Sequence, residues 1–171
     1  GEATSGRAEG AGGYNCRLPA RLKPPEVVQT APRLREIVAL LRRQPKLAVD
    51  TESNSLYAYR EQVCLIQISI PEVDILIDPL SLADLSPLAG VLASPRIEKV
   101  FHAAEYDLAC LHRDYGFRVA NLFDTRIATR TLGRTQTGLG DILEKEFGVR
   151  LDKRCQRAAW GKRPLPTNLI D

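Results

Sequence analysis

Two β-rich runs separated by only two residues constrain this chain more than any other feature. Val63 to Ile70 (VCLIQISI) and Val73 to Ile77 (VDILI) are built largely of β-branched and aliphatic side chains, with Pro71-Glu72 between them. Such side chains suit a pleated, half-buried backbone. A two-residue connection joins neighbouring strands only when they run antiparallel. Leu47-Ala48-Val49, a shorter apolar run ending at Asp50, reads as a buried strand ahead of them. The three strands are expected to form an antiparallel meander.

Helical spacing surrounds this core. From Pro32 to Arg43, Leu34, Ile37, Val38 and Leu41 recur at helical intervals, and Pro45 ends the segment. Leu82 to Leu92 is helix-like, with Leu85, Leu88, Val91 and Leu92 as its apolar residues. Ile97 to Phe101 is a fourth strand, and a preceding helix lets it lie parallel to its neighbour. Ala104 to Tyr115 reads as a helix closed by Gly116, and Val119 to Leu122 as a short fifth strand. Further helices are expected from Asp124 to Leu132 and from Leu139 to Phe147, the latter closed by Gly148. The order predicts an α/β fold with a mixed five-stranded sheet, three antiparallel strands followed by parallel additions, flanked by helices.

The chain has 171 residues, of which 44% are hydrophobic and 26% charged. That supports one domain with a sizeable core and excludes disorder throughout. No apolar run approaches the roughly 18–20 residues of a membrane span, and the start lacks the basic and apolar stretches of a secretory signal. No membrane partner is therefore expected. Residues 1–25, rich in Gly, Ala and Ser and ending in Pro24-Pro25, read as a flexible leader, and residues 26–171 as the folded unit. There is no methionine, so the sequence reads as a fragment or a trimmed product. Cys16, Cys64, Cys110 and Cys155 form no C-x-x-C pair, which argues against a zinc or redox motif. Cys64 and Cys110 fall in apolar segments and read as reduced thiols, pointing to a cytoplasmic location.

The chemistry is concentrated in acids. Residues i and i+2 of a strand point to one face, so Asp50 and Glu52 of Asp50-Thr51-Glu52 are expected to project together from a strand end. Two neighbouring carboxylates repel unless a cation neutralises them. Hard oxygen donors of this kind suit Mg²⁺ or Mn²⁺. The other reading is a helix cap or turn. Downstream, Ala104, Leu108, Leu111 and Tyr115 make the inward stripe of a helix, and Asp107 lies just off its edge in the first turns. An acid there gains from the helix dipole and is also placed to face a metal. His102 reads either as a donor behind the acids or substrate contact, or as a partly buried strand-end residue.

The net charge of +3 hides an asymmetry: Arg126 to Arg163 contains ten basic and four acidic residues. A basic third suggests a polyanion partner. Arg126, Arg130 and Arg134 recur at i, i+4 and i+8 as a ridge on one helix. Between Arg150 and Arg163 a basic loop with Trp160 interleaved reads as a phosphate-tracking segment or as a solvated hairpin whose tryptophan packs inward.

Five segments occur in one order: Leu47-Ala-Val-Asp50-Thr-Glu52, Val63-Cys-Leu-Ile-Gln67-Ile-Ser69, Phe101-His102-Ala-Ala-Glu-Tyr-Asp107-Leu108, Phe123-Asp124-Thr125 and Trp160-Gly-Lys-Arg163-Pro-Leu165. Together they resemble the ribonuclease D family of 3′→5′ exonucleases, in the DEDD superfamily, over about residues 26–171. The resemblance implies a ribonuclease-H-like fold. It also implies a pair of divalent ions, Mg²⁺ or Mn²⁺, held by Asp50, Glu52 and Asp107 as metal ligands and catalytic residues. Hydrolysis would proceed from the 3′ end of single-stranded RNA such as tRNA precursors, by in-line displacement between the two ions. Substrate contacts fall on Thr51, Leu56, Tyr57, Gln67, His102, Trp160 and Arg163. Leu56 and Tyr57 are placed to stack on the terminal base or to form a small apolar cluster, and Gln67 to bond sugar or phosphate or to be a satisfied core residue. DNA remains an alternative substrate, a non-catalytic nucleic-acid-binding module an alternative function, and no obligate protein partner is inferred. The family's third motif, a Tyr followed four residues later by an Asp after the Arg-Pro-Leu segment, is not matched within residues 1–171. Low activity is therefore expected of these residues alone.

Overall fold

The computed structural model describes residues 23–152, 155, 158–166 and 169. The leader expected over 1–25 lies, up to residue 22, outside the described residues. Six strands form one sheet in the order β1-β4-β3-β2-β5-β6. They are β1 (Glu26–Val28), β2 (Lys46–Ser53), β3 (Val63–Ile70), β4 (Val73–Ile77), β5 (Glu98–Phe101) and β6 (Leu122–Asp124). The β2-β3-β4 meander is antiparallel, whereas β1 joins β4, β5 joins β2 and β6 joins β5 in parallel.

The sheet has six strands where the sequence predicted five. The addition is β1, three residues pairing with Ile75, Leu76 and Ile77 at the sheet edge. So short a strand leaves no periodic signal. The last strand lies at Leu122–Asp124 rather than Val119–Leu122, because Asn121, at φ 53°, turns the chain just before it.

Helix α1 (Ala31–Leu41) carries Pro32 in its first turn and buries Leu34, Ile37, Val38 and Leu41. The helix expected over Leu82–Leu92 is only a 3₁₀ turn, Ser86–Leu88, and one α turn, α2 (Ala89–Leu92). Asp84 accepts hydrogen bonds from the Ser86 N–H and Oγ, and Pro87 follows, so the first half makes a side-chain-capped turn. Its apolar residues are nevertheless buried: the spacing reported burial rather than helix. Helices α3 (Glu105–Tyr115), α4 (Thr125–Thr131) and α5 (Leu139–Phe147) follow, with Gly116 and Gly148 in the left-handed conformation after α3 and α5. Because α4 ends at Thr131, Arg134 leaves the predicted ridge and pairs with Glu146.

The main core gathers α1, α2 and α3 against the sheet through residues such as Leu34, Leu47, Val49, Ile66, Ile77 and Leu111. A second, smaller cluster joins Cys64, Leu65, Leu76, Trp160 and Leu165. Strand β3 serves both. Glu52 stands opposite Leu65, but Ser53 stands opposite Val63, so Cys64 is a surplus residue in a bulge. It inverts the alternation, letting Val63 and Ile66 join one core while Cys64 and Leu65 both join the other.

Candidate active site

Strand β2 outruns its parallel neighbour. Its pairing with β5 covers Lys46 to Ala48, whereas its pairing with β3 continues to Ser53. Beyond Ala48 one edge of β2 therefore lacks a strand. Asp50 and Glu52 stand opposite Gln67 and Leu65, and Thr51 opposite Ile66. Cross-strand partners share a face, so the two acids lie on the Leu65 side and Thr51 on the main-core side.

Asp107 reaches this open edge from α3. After β5 the chain turns sharply, with Ala103 at φ 61°. Asp124 holds that turn: its carboxylate accepts the N–H groups of Ala103 and Ala104 as well as those of Arg126 and Ile127 at the start of α4. Burial pushes the Asp124 carboxyl up, but these four bonds outweigh it and lower it overall. The turn sets the first turn of α3 beside β2. Asp107 is buried, and its Oδ1 accepts both the Thr51 N–H (3.1 Å) and the Thr51 hydroxyl (2.5 Å). The third acid is thus bonded to the residue between the other two.

The acids perturb one another. Asp50 is open to solvent, yet flanking protein desolvates its carboxylate. Desolvation first, and then the charge of Asp107, raise its pKa to about 6. Desolvation, followed by Asp50 and Asp107, pushes Glu52 up to about 7. Burial raises Asp107 as well, against the lowering effect of the Thr51 bonds. Among the described residues no Lys or Arg pairs with any of the three. Nor do three His, Cys, Asp or Glu side chains form a ready-made metal-binding group there. The donor set itself, clustered carboxylates without an internal cation, fits a hard divalent ion.

The other predicted residues separate into two groups. Leu56 and Tyr57 are 67% and 60% exposed on the loop that leaves β2, and Gln67 is half-buried opposite Asp50. His102 is half-buried. Thr125 Oγ donates to the Phe101 carbonyl, which leaves His102 Nδ1 as the donor to Thr125 Oγ (2.9 Å) and turns Nε2 into the acceptor of the ring. Burial first lowers its pKa, so the neutral ring is favoured.

Thr51, Trp160 and Arg163 require correction as substrate contacts. Both donors of Thr51 serve Asp107. Trp160 is 5% exposed within the second cluster, where no base can stack on it, and its Nε1 is without a partner. All five Arg163 N–H groups are used internally, on both oxygens of fully buried Asp78 and on the Trp160, Lys162 and Cys64 carbonyls. Lys153, Arg154 and Arg157 of the expected basic loop lie outside the described residues, and Arg150 pairs with Glu144.

Two residues of the site carried no usable signal. Tyr106 donates its hydroxyl to Glu61 (2.5 Å), and Ser53 Oγ lies 3.2 Å from the same oxygen. Glu61 also meets Arg113, 52 residues away. No local spacing announces contacts of that range.

Compared with known proteins, residues 25–171 match a family described as 3′-5′ exonuclease. Protein RRP6-like 3 of Arabidopsis thaliana is 40% identical over 144 residues, 84% of this chain and 16% of that protein. The catalytic core of RRP6 from Trypanosoma brucei superposes with a TM-score of 0.81 at 36% identity, covering 86% of this chain and 41% of that one. Escherichia coli RNase D, described as an exoribonuclease involved in structured RNA processing, gives 0.79 at 34% identity, over 85% and 39%. The chain spans 16% to 18% of the length of the first three curated relatives.

Proposed function

Because this chain belongs to the 3′-5′ exonuclease family, we propose that the protein removes nucleotides from the 3′ ends of single-stranded RNA by divalent-metal-dependent hydrolysis. The carrying observation is the bond between Asp107 and Thr51, which joins the third acid to the strand bearing the other two. Asp50, Glu52 and Asp107 hold the ions, Mg²⁺ or Mn²⁺. Bound there, the two ions stabilise charge on the attacking and leaving oxygens of the phosphodiester. Thr51 fixes the Asp107 carboxylate. Glu52 orients the attacking water. Leu56 and Tyr57 meet the terminal base from the loop beside the acids, with Gln67 and His102 completing the polar lining.

RNA is preferred over DNA on the likeness to RNase D, an exoribonuclease involved in structured RNA processing. Residues 26–171 are the exonuclease unit in this reading. Cys64 and Cys110 are buried free thiols, which fits a reducing compartment such as the cytoplasm. Among the described residues no helix is long and apolar enough to cross a membrane.

The test follows matched RNA and DNA oligonucleotides, labelled at the 5′ end, with the full-length protein in Mg²⁺, Mn²⁺ or EDTA. Stepwise 3′ shortening of RNA that stops in EDTA and in Asp50→Asn is the expected result. Shortening of DNA alone would reverse the sugar preference. Salt-dependent binding without cleavage would replace the enzyme by a binding module.

A further inference from the structure

The loop from Asn54 to Gln62, which leaves the acid-bearing strand and returns as β3, is closed at its base. Asn54 N–H donates to the Gln62 carbonyl, and Asn54 Oδ1 accepts the Gln62 N–H at 2.8 Å. Tyr57 and Ala58 N–H both donate to the Asn54 carbonyl. The enclosed segment carries Leu56, Tyr57 and Tyr59, all strongly exposed, Tyr59 fully so, and none belongs to either core cluster. Large apolar side chains held in water on an ordered loop are a contact surface rather than a packing element.

One residue ties this surface to the helix of Asp107. Glu61 accepts the hydroxyl of Tyr106, the neighbour of Asp107, on one oxygen and the Arg113 guanidinium on the other. Arg113 is itself held by Asp114, which accepts the first N–H of β3, that of Val63. Since Tyr106 gives its only proton to Glu61, Ser53 Oγ must donate to the Tyr106 oxygen, and Ser55 N–H in turn donates to Ser53 Oγ. The bonds run in one direction, from the loop's start through Tyr106 to the loop's end. Ser53 adjoins Glu52, so both ends of the loop are fixed within one residue of a candidate metal ligand or on the helix that bears another.

We infer that Glu61 is a positioning residue: through Tyr106 and Arg113 it holds the Asn54–Gln62 loop against α3, so that Tyr57 and Tyr59 are presented in fixed geometry to the unpaired bases entering the acid site. The inference rests on the exonuclease reading. Glu61 touches no reacting atom. It acts by sparing the loop an ordering cost on binding, so its loss weakens substrate affinity rather than the chemical step.

The experiment uses the full-length protein and a 5′-fluorescent single-stranded RNA 12-mer. Affinity is read by anisotropy in EDTA, and KM and kcat by 3′ shortening in Mg²⁺. Glu61→Ala should weaken binding and raise KM by about tenfold while kcat stays within about twofold. Glu61→Gln, which keeps an acceptor for Tyr106, should recover most of that affinity. Tyr106→Phe, which deletes one hydroxyl, should reproduce the Glu61→Ala shift and serves should that variant fold poorly. Unchanged affinity and KM in both Glu61→Ala and Tyr106→Phe overturn the assignment, as does a fall in kcat at constant KM. A wild-type protein that neither binds nor trims the RNA removes the exonuclease reading, and the assignment with it; binding by wild type with indifferent variants removes the assignment alone.

Discussion

Replacing Arg163 by methionine tests whether this arginine belongs to the fold or to the substrate. Its guanidinium lies 2.6–3.0 Å from Asp78, a carboxylate with no exposed surface. Burial pushes Asp78 up, but bonds from Arg163, then Gln29 and Ser81, reverse this and hold it at about 2 instead of 3.8. A depression of that size contributes roughly 2 kcal/mol at neutral pH. Removing one partner of a buried pair costs about 3–5 kcal/mol when nothing replaces it. Gln29 Nε2, Ser81 Oγ and the Leu80 N–H remain on Asp78, so the loss should fall near 2–3 kcal/mol, on the order given by both routes. Urea unfolding of wild type and Arg163→Met at pH 7 measures it.

The sign of the pH effect is fixed. The Asp78 carboxyl is depressed in the folded state, so its contribution is fully present above the unfolded value of 3.8 and is lost as pH falls toward about 2. The gap between wild type and variant should close across that window. A variant within about 0.5 kcal/mol of wild type at pH 7, the scatter of ordinary surface changes, refutes the internal role. So does a gap that persists down to pH 2.

Other perturbations separate chemistry from scaffolding. Asp50→Asn should abolish shortening yet raise stability at pH 8 in EDTA, because an acid raised to about 6 opposes folding once ionised; allowing for its exposure, about 1 kcal/mol is expected in chemical denaturation. Thr51→Val removes the hydroxyl donor of Asp107 and leaves it backbone N–H groups alone, and kcat should drop about tenfold with little change in melting temperature. Asp124→Ala strips four backbone donors of their acceptor, and calorimetry should show a loss of about 2 kcal/mol or more.

Local order was legible wherever one rule sufficed. Helix α1 and its four buried residues follow from spacing and Pro32, and the meander follows from two residues between β-rich runs. The spacing of Asp50 and Glu52 placed both on one sheet face. Geometry created by chain reversal was not legible. Nothing near Thr51 announces that its hydroxyl belongs to a side chain 56 positions later. The charge of Arg163 resembled a substrate contact because its partner, Asp78, lies 85 residues away. Periodicity likewise reported burial over Leu82–Leu92 without revealing that Asp84 and Pro87 forbid a continuous helix.

The bulge at Cys64 gives β3 one residue more than its ladder uses. Deleting it would bring the Ser53–Val63 and Glu52–Leu65 pairs onto consecutive rungs and leave Val63 and Leu65 on the faces they hold now. What would go is the material the surplus residue supplies: a thiol side chain for the smaller core and a carbonyl that accepts the Arg163 guanidinium. The insertion therefore serves the packing around Trp160 and Arg163, not the alignment of the strand.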